Sequence, residues 1–173
     1  NADLLLRLVN DILDLTKMEA GHLTLLRQPV IVETLAEKAL AMAAGIAEKC
    51  GIGLTLTLSA TARHNQLWAD EHRLLQVLGN LLSNAVKHAR EGELVFNSLH
   101  DGDRHGLASI CLDRGPGMAN PAECLRDGYS TAGSPGTGLG AVRRLSSVFD
   151  IYSAPGSGTA LLSRVWSRTD NEP

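Results

Sequence analysis

Glycine placement is the feature that most restricts how this chain can fold. Nine of its 17 glycines lie between Gly102 and Gly140. Interior glycines weaken helices and strands, whereas turns and loops that approach a ligand closely depend on them. We therefore expect the region 114–138 to be irregular, and we look there first for a binding site.

The remaining composition is that of a globular protein. Of the 173 residues, 44% are hydrophobic and 20% are charged, which excludes a disordered chain. The net charge of −3 includes no basic block, so nucleic-acid binding through phosphate neutralisation is not expected. No apolar run approaches the roughly 20 residues that cross a bilayer. The three cysteines lack the spacing of a zinc site or a disulfide framework, so we predict three buried, reduced thiols and a cytoplasmic location.

Hydrophobic periodicity predicts an α+β fold with mostly antiparallel strands and with the helices on one face of the sheet. The predicted helices are 33–49, 71–89 and 139–149, and the predicted strands are 52–58, 67–69, 93–99, 107–113, 149–154 and 158–166. Asp70 is the expected N-cap of the second helix. The expected buried face of the first helix consists of Leu35, Ala39, Met42 and Ile46.

An amphipathic helix precedes this domain. Residues 3–20 carry leucine and isoleucine at helical spacing, and Gly21 is a suitable end for the helix. The apolar stripe either faces the core of its own domain or forms half of a helical hairpin; we favour the hairpin, which predicts a homodimer through residues 4–18. Residues 22–32 read as a linker with a short edge strand. Because the chain starts within a helix, we expect it to be the cytoplasmic end of a longer protein.

Polar side chains on the helix 71–89 form the first candidate functional cluster. Asn80, Asn84, Lys87 and His88 share one stripe of this helix, opposite a leucine-rich face. Amide oxygens can bind a hard cation such as Mg²⁺, and a lysine can reach phosphate oxygens. A solvated polar face is the alternative reading of this cluster.

Two glycine motifs form the other candidate clusters. In DRGPG (113–117), a carboxylate that can accept a hydrogen bond from a ligand amine follows a strand, although a tight turn explains the same residues. In GTGLG (136–140), exposed backbone N–H groups precede a helix and offer an anion site, although the motif by itself is weak. A PGSG turn (155–158) and a strand follow. The ordered succession of these parts argues against chance.

With these motifs in this order, the sequence resembles the Bergerat-type ATP-binding fold, the superfamily of DNA gyrase, the Hsp90 chaperones, histidine kinases and the MutL mismatch-repair proteins. Residues 80–89 resemble its N-box, 113–118 its G1 box, 136–140 its G2 box and 157–161 its threonine-bearing strand. The resemblance implies a two-layer α/β sandwich, with a mixed sheet covered by helices on one face. The implied organisation is a partial dimerisation helix (1–21), a linker (22–32), an ATP-binding catalytic domain (33–168) and a tail (169–173).

The resemblance also implies the ligands and their contacts. ATP and Mg²⁺ would lie between the helices and a mobile lid, with Asn84 binding Mg²⁺ and Asn80 beside the metal and phosphates as a catalytic residue. Asp113 would accept a hydrogen bond from the adenine amino group. Lys87 would be catalytic as well as phosphate-binding. Further nucleotide contacts are implied for His88, Gly115, Gly117, Thr131, Gly136, Thr137, Gly138, Leu139, Gly140 and Thr159.

Two branches of the superfamily are represented in the chain. Residues 4–26 and 68–89 resemble sensor histidine kinases, whereas residues 124–166 resemble the anti-sigma-factor serine kinases. Asn80 stands where the serine-kinase branch usually carries a glutamate base. The first half therefore points to a histidine acceptor and the second half to a serine acceptor.

We expect an ATP- and Mg²⁺-binding signalling kinase that most resembles sensor histidine kinases. None of the six histidines has the sequence context of a phosphoacceptor, so we do not expect autophosphorylation on histidine. The expected partner is a phosphoacceptor domain or a response regulator. The alternatives are a serine kinase that acts on an anti-anti-sigma protein, and a non-catalytic ATP-binding interaction module.

Overall fold

The structure, a computed structural model, describes residues 24–88, 91–102, 104–126 and 138–167, together with the single positions 9, 13 and 16. These three positions are helical, as predicted for the N-terminal segment, and Val9 and Leu13 are exposed. The rest of that amphipathic helix lies outside the described residues, so the proposed division of the chain into segments remains a prediction.

The described residues form seven strands and five helices. In chain order these are β1 (Gln28–Ile31), α1 (Val32–Cys50), β2 (Gly53–Leu58), α2 (Ala60–Arg63), β3 (Gln66–Ala69), α3 (Glu71–His88), β4 (Glu91–Asp101), β5 (Arg104–Asp113), α4 (Pro121–Cys124), α5 (Gly138–Leu145), β6 (Val148–Ser153) and β7 (Thr159–Trp166).

Five of the strands form one mixed sheet. Its order is β2-β4-β5-β7-β6, in which β2 and β4 are parallel and the other neighbours are antiparallel. The linker strand β1 pairs with β3 in a separate two-stranded ribbon. Helix α3 packs against α1 and α5 and lies over β4 and β5. The predicted two-layer α/β sandwich is confirmed.

The buried face of α1 differs from the prediction. Met42 and Ile46 were expected inside, yet their exposed fractions are 55% and 46%. The buried stripe consists mainly of alanines at four-residue spacing, namely Val32, Leu35, Ala36, Ala39, Ala43 and Ala47. Small side chains let α1 approach its neighbours closely, and the stripe advances by i+4 steps that leave Met42 and Ile46 beside it.

One helix boundary was wrong, and one short helix was missed. The last helix ends at Leu145 instead of 149, because Val148 already pairs with Arg164 in the sheet. The short helix α2 was not predicted; its N-cap is Ser59, whose side chain accepts a hydrogen bond from the backbone N–H of Ala62.

Asp70 begins the helix that carries the first candidate cluster, as predicted. Its Oδ1 accepts from the backbone N–H of Arg73 at 3.1 Å, which satisfies a donor at the helix start. Its Oδ2 accepts from the backbone N–H of Leu26 at 3.0 Å. One carboxylate thus caps α3 and attaches the linker to it.

Candidate functional site

A row of four paired residues crosses the sheet at the base of the site. Gly92 on β4 is opposite Asp113 on β5, Asp113 is opposite Thr159 on β7, and Thr159 is opposite Ser153 on β6. Directly opposed residues place their side chains on the same face. This face is the one under the helices, since Cys111, two residues before Asp113, donates its thiol to the carbonyl oxygen of Leu81 in α3 at 3.6 Å.

Helix α3 packs closely on β4 at Gly92. A Cβ placed on Gly92 would lie 3.2 Å from Cβ of Ala85 and 3.0 Å from Cδ2 of Leu54. A side chain at position 92 would therefore press on Ala85 and Leu54, and glycine allows the close contact of helix and strand without moving them. Since Ala85 packs on Gly92, the turn of α3 that contains Asn84 lies over the β4 end of the row.

The Asn84 side chain contains a polar group that the described part of the chain leaves unsatisfied. Its Nδ2 atom is buried, and no described residue offers it a hydrogen-bond partner. Leaving such a group without a partner costs about 1–3 kcal/mol. The unsatisfied atom is a hydrogen-bond donor and so suits an acceptor oxygen of a ligand, whereas the oxygen of the same amide is the atom suited to Mg²⁺.

Asn80 lies one helical turn before Asn84 and contacts the start of α5. A Cβ on Gly138 would lie 3.7 Å from Oδ1 of Asn80. The first predicted cluster and the second glycine motif are thus adjacent. The next residue of that motif, Leu139, has its side chain in the hydrophobic core. Only the backbone of Leu139 is therefore available to a ligand.

The Asp113 carboxylate is fixed by its own loop. Oδ1 accepts from the backbone N–H of Gly115 at 2.8 Å, whereas Oδ2 accepts no hydrogen bond from the described residues. The loop holds one carboxylate oxygen and leaves the other to accept from a donor in the site.

Two loops meet beside Asp113 with backbone against backbone. We call 114–118 the carboxylate loop and 154–158 the hairpin turn. The backbone N–H of Gly156 donates to the carbonyl of Pro116 at 2.7 Å. Gly117 has a φ of +70°, and a Cβ on it would lie 1.9 Å from the carbonyl oxygen of Ala154. Gly158 has a φ of +77°, and a Cβ on it would lie 2.1 Å from the carbonyl oxygen of Asp113. These two glycines serve the contact between the loops, which the motif alone did not reveal.

The remaining predicted site residues fall in two groups. Gly140 is buried within α5 and Thr159 is buried at the end of β7. The side chains of Lys87 and His88, in the last turn of α3, lie outside the described residues, as do Thr131, Gly136 and Thr137. Sequence reasoning missed Gly92 and Ser153, because only strand pairing places them in the row.

The buried thiol of Cys111, two residues before Asp113, has a strongly raised pKa. Burial, with a smaller contribution from the negative charge of Asp113, raises the pKa of Cys111 from 9.0 to about 12. The thiol therefore stays protonated and can donate to Leu81. Of the three cysteines predicted to be buried, the structure buries Cys111 but leaves Cys50 exposed and Cys124 partly exposed.

We expect alanine at Gly158 to be far more damaging than alanine at Gly156, in a matched pair. Both glycines have a φ of +77°, but a Cβ on Gly156 meets no atom within 4 Å. Gly156→Ala should cost about 1–2 kcal/mol from left-handed backbone strain alone. Gly158→Ala should cost at least about 1–3 kcal/mol more, because a backbone atom must move. Urea denaturation measures both losses, and equal losses would contradict the proposed contact.

Stability should fall at alkaline pH through Cys111. Its folded-state pKa of about 12 lies above its unfolded value, so its contribution is complete below about pH 8.5 and declines as pH rises towards the folded pKa, by up to about 1.4 kcal/mol per pH unit. The unfolding free energy of the wild type should therefore fall more steeply between about pH 8 and about pH 10 than that of Cys111→Ala. The exposed Cys50 provides the control, and parallel curves for wild type and Cys111→Ala would refute the expectation.

Comparison with known proteins agrees with this arrangement. A family profile described as histidine kinase-, DNA gyrase B- and HSP90-like ATPase matches residues 69–167. The serine/threonine-protein kinase RsbT of Bacillus subtilis is 32% identical over 99 residues, which cover 57% of this chain and 74% of RsbT. The virulence sensor protein BvgS of Bordetella bronchiseptica is 32% identical over 173 residues, or 91% of this chain and 14% of BvgS. The sensor histidine kinase GacS of Pseudomonas protegens is 31% identical over 92% of this chain and 19% of its own length.

Solved structures give the same result. Full-length ShkA, determined in complex with AMPPNP, has a TM-score of 0.77 and 28% identity over 95% of this chain and 36% of ShkA. The histidine kinase AdeS of Acinetobacter baumannii has a TM-score of 0.71 over 98% of this chain and 81% of that structure, and at 19% identity it shows the fold alone.

The extent of these matches is also informative. The chain spans only 14% to 19% of the length of the sensor proteins BvgS and GacS. Within the described part of the chain, no helix is long and apolar enough to cross a membrane. Together, the profile match and the relatives show that the chain belongs to the histidine kinase-, DNA gyrase B- and HSP90-like ATPase family, as an ATP-binding domain of the type found in sensor histidine kinases.

Proposed function

We propose that this chain is the ATP- and Mg²⁺-dependent catalytic domain of a signalling protein kinase of the sensor histidine kinase type. It would transfer the γ-phosphoryl group of ATP to a histidine of a phosphoacceptor domain and leave ADP. The observation that carries the proposal is the buried amide nitrogen of Asn84, a donor that no described residue satisfies and that an acceptor oxygen of a bound phosphate would satisfy.

Asp113 and its neighbours in the row across the sheet would recognise the adenine. The Oδ2 atom of Asp113 is left without a hydrogen bond from the described residues, while the N–H of Gly115 fixes Oδ1. A carboxylate in this state accepts from an exocyclic amino group and repels the carbonyl oxygen that a guanine presents in its place. Thr159, directly opposite Asp113, and Gly117 complete this part of the site.

Binding of the metal and phosphates is assigned to the helices. The Asn84 side chain is the Mg²⁺ ligand, and one amide oxygen with phosphate and water oxygens matches the usual coordination of that ion. When bound, Mg²⁺ neutralises charge on the phosphate oxygens during transfer. Asn80 lies against Gly138, so it would orient polar groups between α3 and the start of α5.

The triphosphate would be enclosed by residues from both clusters. Lys87 and His88 would supply positive charge or hydrogen-bond donors from the end of α3. Backbone N–H groups near Gly138 would act with the α5 dipole on the anion. Lid contacts are proposed for Gly115, Thr131, Gly136, Thr137, Leu139 and Gly140. These residues position and neutralise the transferring group, which is the main demand of phosphoryl transfer.

Different observations favour a serine and a histidine as the acceptor of the phosphoryl group. The relation to RsbT favours a serine acceptor. The sensor proteins BvgS and GacS match about nine-tenths of this chain, whereas RsbT matches 57% of it. Asn80 also lacks the carboxylate that a serine hydroxyl acceptor would need as a base. We therefore place histidine first and serine second.

Assembly and location follow from the same proposal. The exposed positions Val9 and Leu13 lie four residues apart in helical backbone, as expected for a helix that pairs with a second copy through residues 4–18. A response regulator or phosphoacceptor domain would be the signalling partner, and the domain would act in the cytoplasm.

Asp113→Asn should weaken ATP binding by about 10- to 150-fold, because it replaces one acceptor of a charge-assisted hydrogen bond. The measurement is calorimetric titration of ATP with and without Mg²⁺. Asp101→Asn, the same change on an exposed residue at the far end of the β4–β5 hairpin, is the control and should leave the affinity unchanged. Equal affinities for wild type and Asp113→Asn would remove Asp113 from the site.

The acceptor type can be decided by the chemistry of the product. Incubated with γ-labelled ATP and a histidine phosphoacceptor domain, the protein should label that domain with a phosphate stable to base and labile to acid. An acid-stable label on a supplied anti-anti-sigma protein would support the serine alternative. ATP binding without transfer to either acceptor would favour a non-catalytic module. The isolated chain should acquire no acid-labile label, and its appearance would show an acceptor histidine within these residues.

A further inference from the structure

The hydroxyl of Ser153 joins three parts of the site. Its Oγ accepts from the backbone N–H of Met118 at 2.8 Å and donates to the carbonyl oxygen of Gly158 at 2.9 Å. It is also 3.1 Å from Oγ1 of Thr159. These partners are the end of the carboxylate loop, the end of the hairpin turn and the buried threonine opposite Asp113. Ser153 was not among the residues expected in the site.

The hydrogen-bonding capacity of a hydroxyl fixes the direction of the third bond. A serine hydroxyl has one proton and two acceptor lone pairs. The proton is used on Gly158, so the hydrogen between Ser153 and Thr159 comes from Thr159. The single proton of the Thr159 hydroxyl is thereby directed towards Ser153, and its oxygen offers only acceptors to a ligand.

The bond to Met118 acts on the carboxylate loop from its far end. Asp113 and Gly115 hold the beginning of this loop, and the bond between Pro116 and Gly156 holds its middle. Met118 is the last residue of the loop and is held by Ser153. Removal of this hydroxyl would free the end of the loop and the Thr159 hydroxyl together, while leaving Asp113 itself intact.

We propose that Ser153 is a positioning residue for nucleotide binding, which fixes the end of the carboxylate loop and the orientation of the Thr159 hydroxyl without contacting the nucleotide. This inference rests on the proposed function. It predicts that Ser153 controls nucleotide affinity through Met118 and Thr159, beyond any effect on folding.

Ser163 provides a matched control within the same hairpin. It is a buried serine on β7 whose hydroxyl lies 2.7 Å from that of Ser146. In the pairing with β5 it is opposite Ser109, four residues from the Asp113–Thr159 pair, or roughly 13 Å along the strand. Ser163→Ala removes the same group from the same hairpin without touching the row.

The experiment measures binding of the non-hydrolysable analogue AMPPNP to the wild type and to Ser153→Ala, Ser153→Thr and Ser163→Ala. Ser153→Ala should weaken binding about tenfold, as expected for the loss of linked hydrogen bonds. Ser153→Thr keeps the hydroxyl and should restore most of the affinity, and Ser163→Ala should bind like the wild type. Hydrogen exchange without nucleotide should show a faster Met118 amide in Ser153→Ala and no change there in Ser163→Ala.

The outcomes separate this inference from the proposed function. If the wild type does not bind AMPPNP, the proposed function fails and the role of Ser153 fails with it. If the wild type binds and Ser153→Ala binds equally well, only the role of Ser153 is overturned. Equal weakening in Ser163→Ala, or an unchanged Met118 amide in Ser153→Ala, would also overturn it. Should Ser153→Ala not fold, Ser153→Cys keeps the side-chain shape with a much weaker hydrogen-bonding group and carries the same expectation.

Discussion

The contact between the carboxylate loop and the hairpin turn is the constraint on which the rest of the site depends. Two backbones meet at a separation that leaves no room for a Cβ on Gly117 or Gly158. The bond from Gly156 to Pro116 closes the contact, and the Ser153 hydroxyl extends it to Met118. As a result the Asp113 carboxylate is held in a rigid frame, and a fixed acceptor loses little entropy when it binds a ligand.

A second constraint joins this frame to the helices. Gly92 lets α3 lie against β4, and the turn of α3 that contains Asn84 is thereby held over the β4 end of the row. The same helix holds Asn80 against the start of α5, and the buried side chains of Leu139 and Val142 keep α5 in place. In the proposed function the domain separates its tasks, with base recognition on the sheet and metal and phosphate binding on the helices.

The sequence predicted local features best. Asp70 was identified as the cap of α3, and the strands that form the β4–β5 and β6–β7 hairpins were predicted close to their observed positions, because these signals depend on neighbours in the chain. The buried face of α1 was predicted poorly, because the alanines that form it give only a weak hydrophobic periodicity. Met42 and Ile46 give a stronger hydrophobic signal, yet both are exposed. The strands β2 and β4 pair in parallel, and β3 and α3 lie between them in the chain, so no local turn in the sequence indicates this pairing.

By itself, the sequence determined the family and the α+β class, because Asn80, Asn84, Asp113 and the glycine motifs keep a fixed order along the chain, and it supplied the residues of the proposed site. Tertiary structure decided which of those residues contact one another. It showed that Gly117 and Gly158 allow two loops to meet, and that Gly92 admits a helix. It also placed Ser153 beside Thr159. Strand register and helix packing bring together residues up to about 70 positions apart, and those distances are set by contacts that no local pattern encodes.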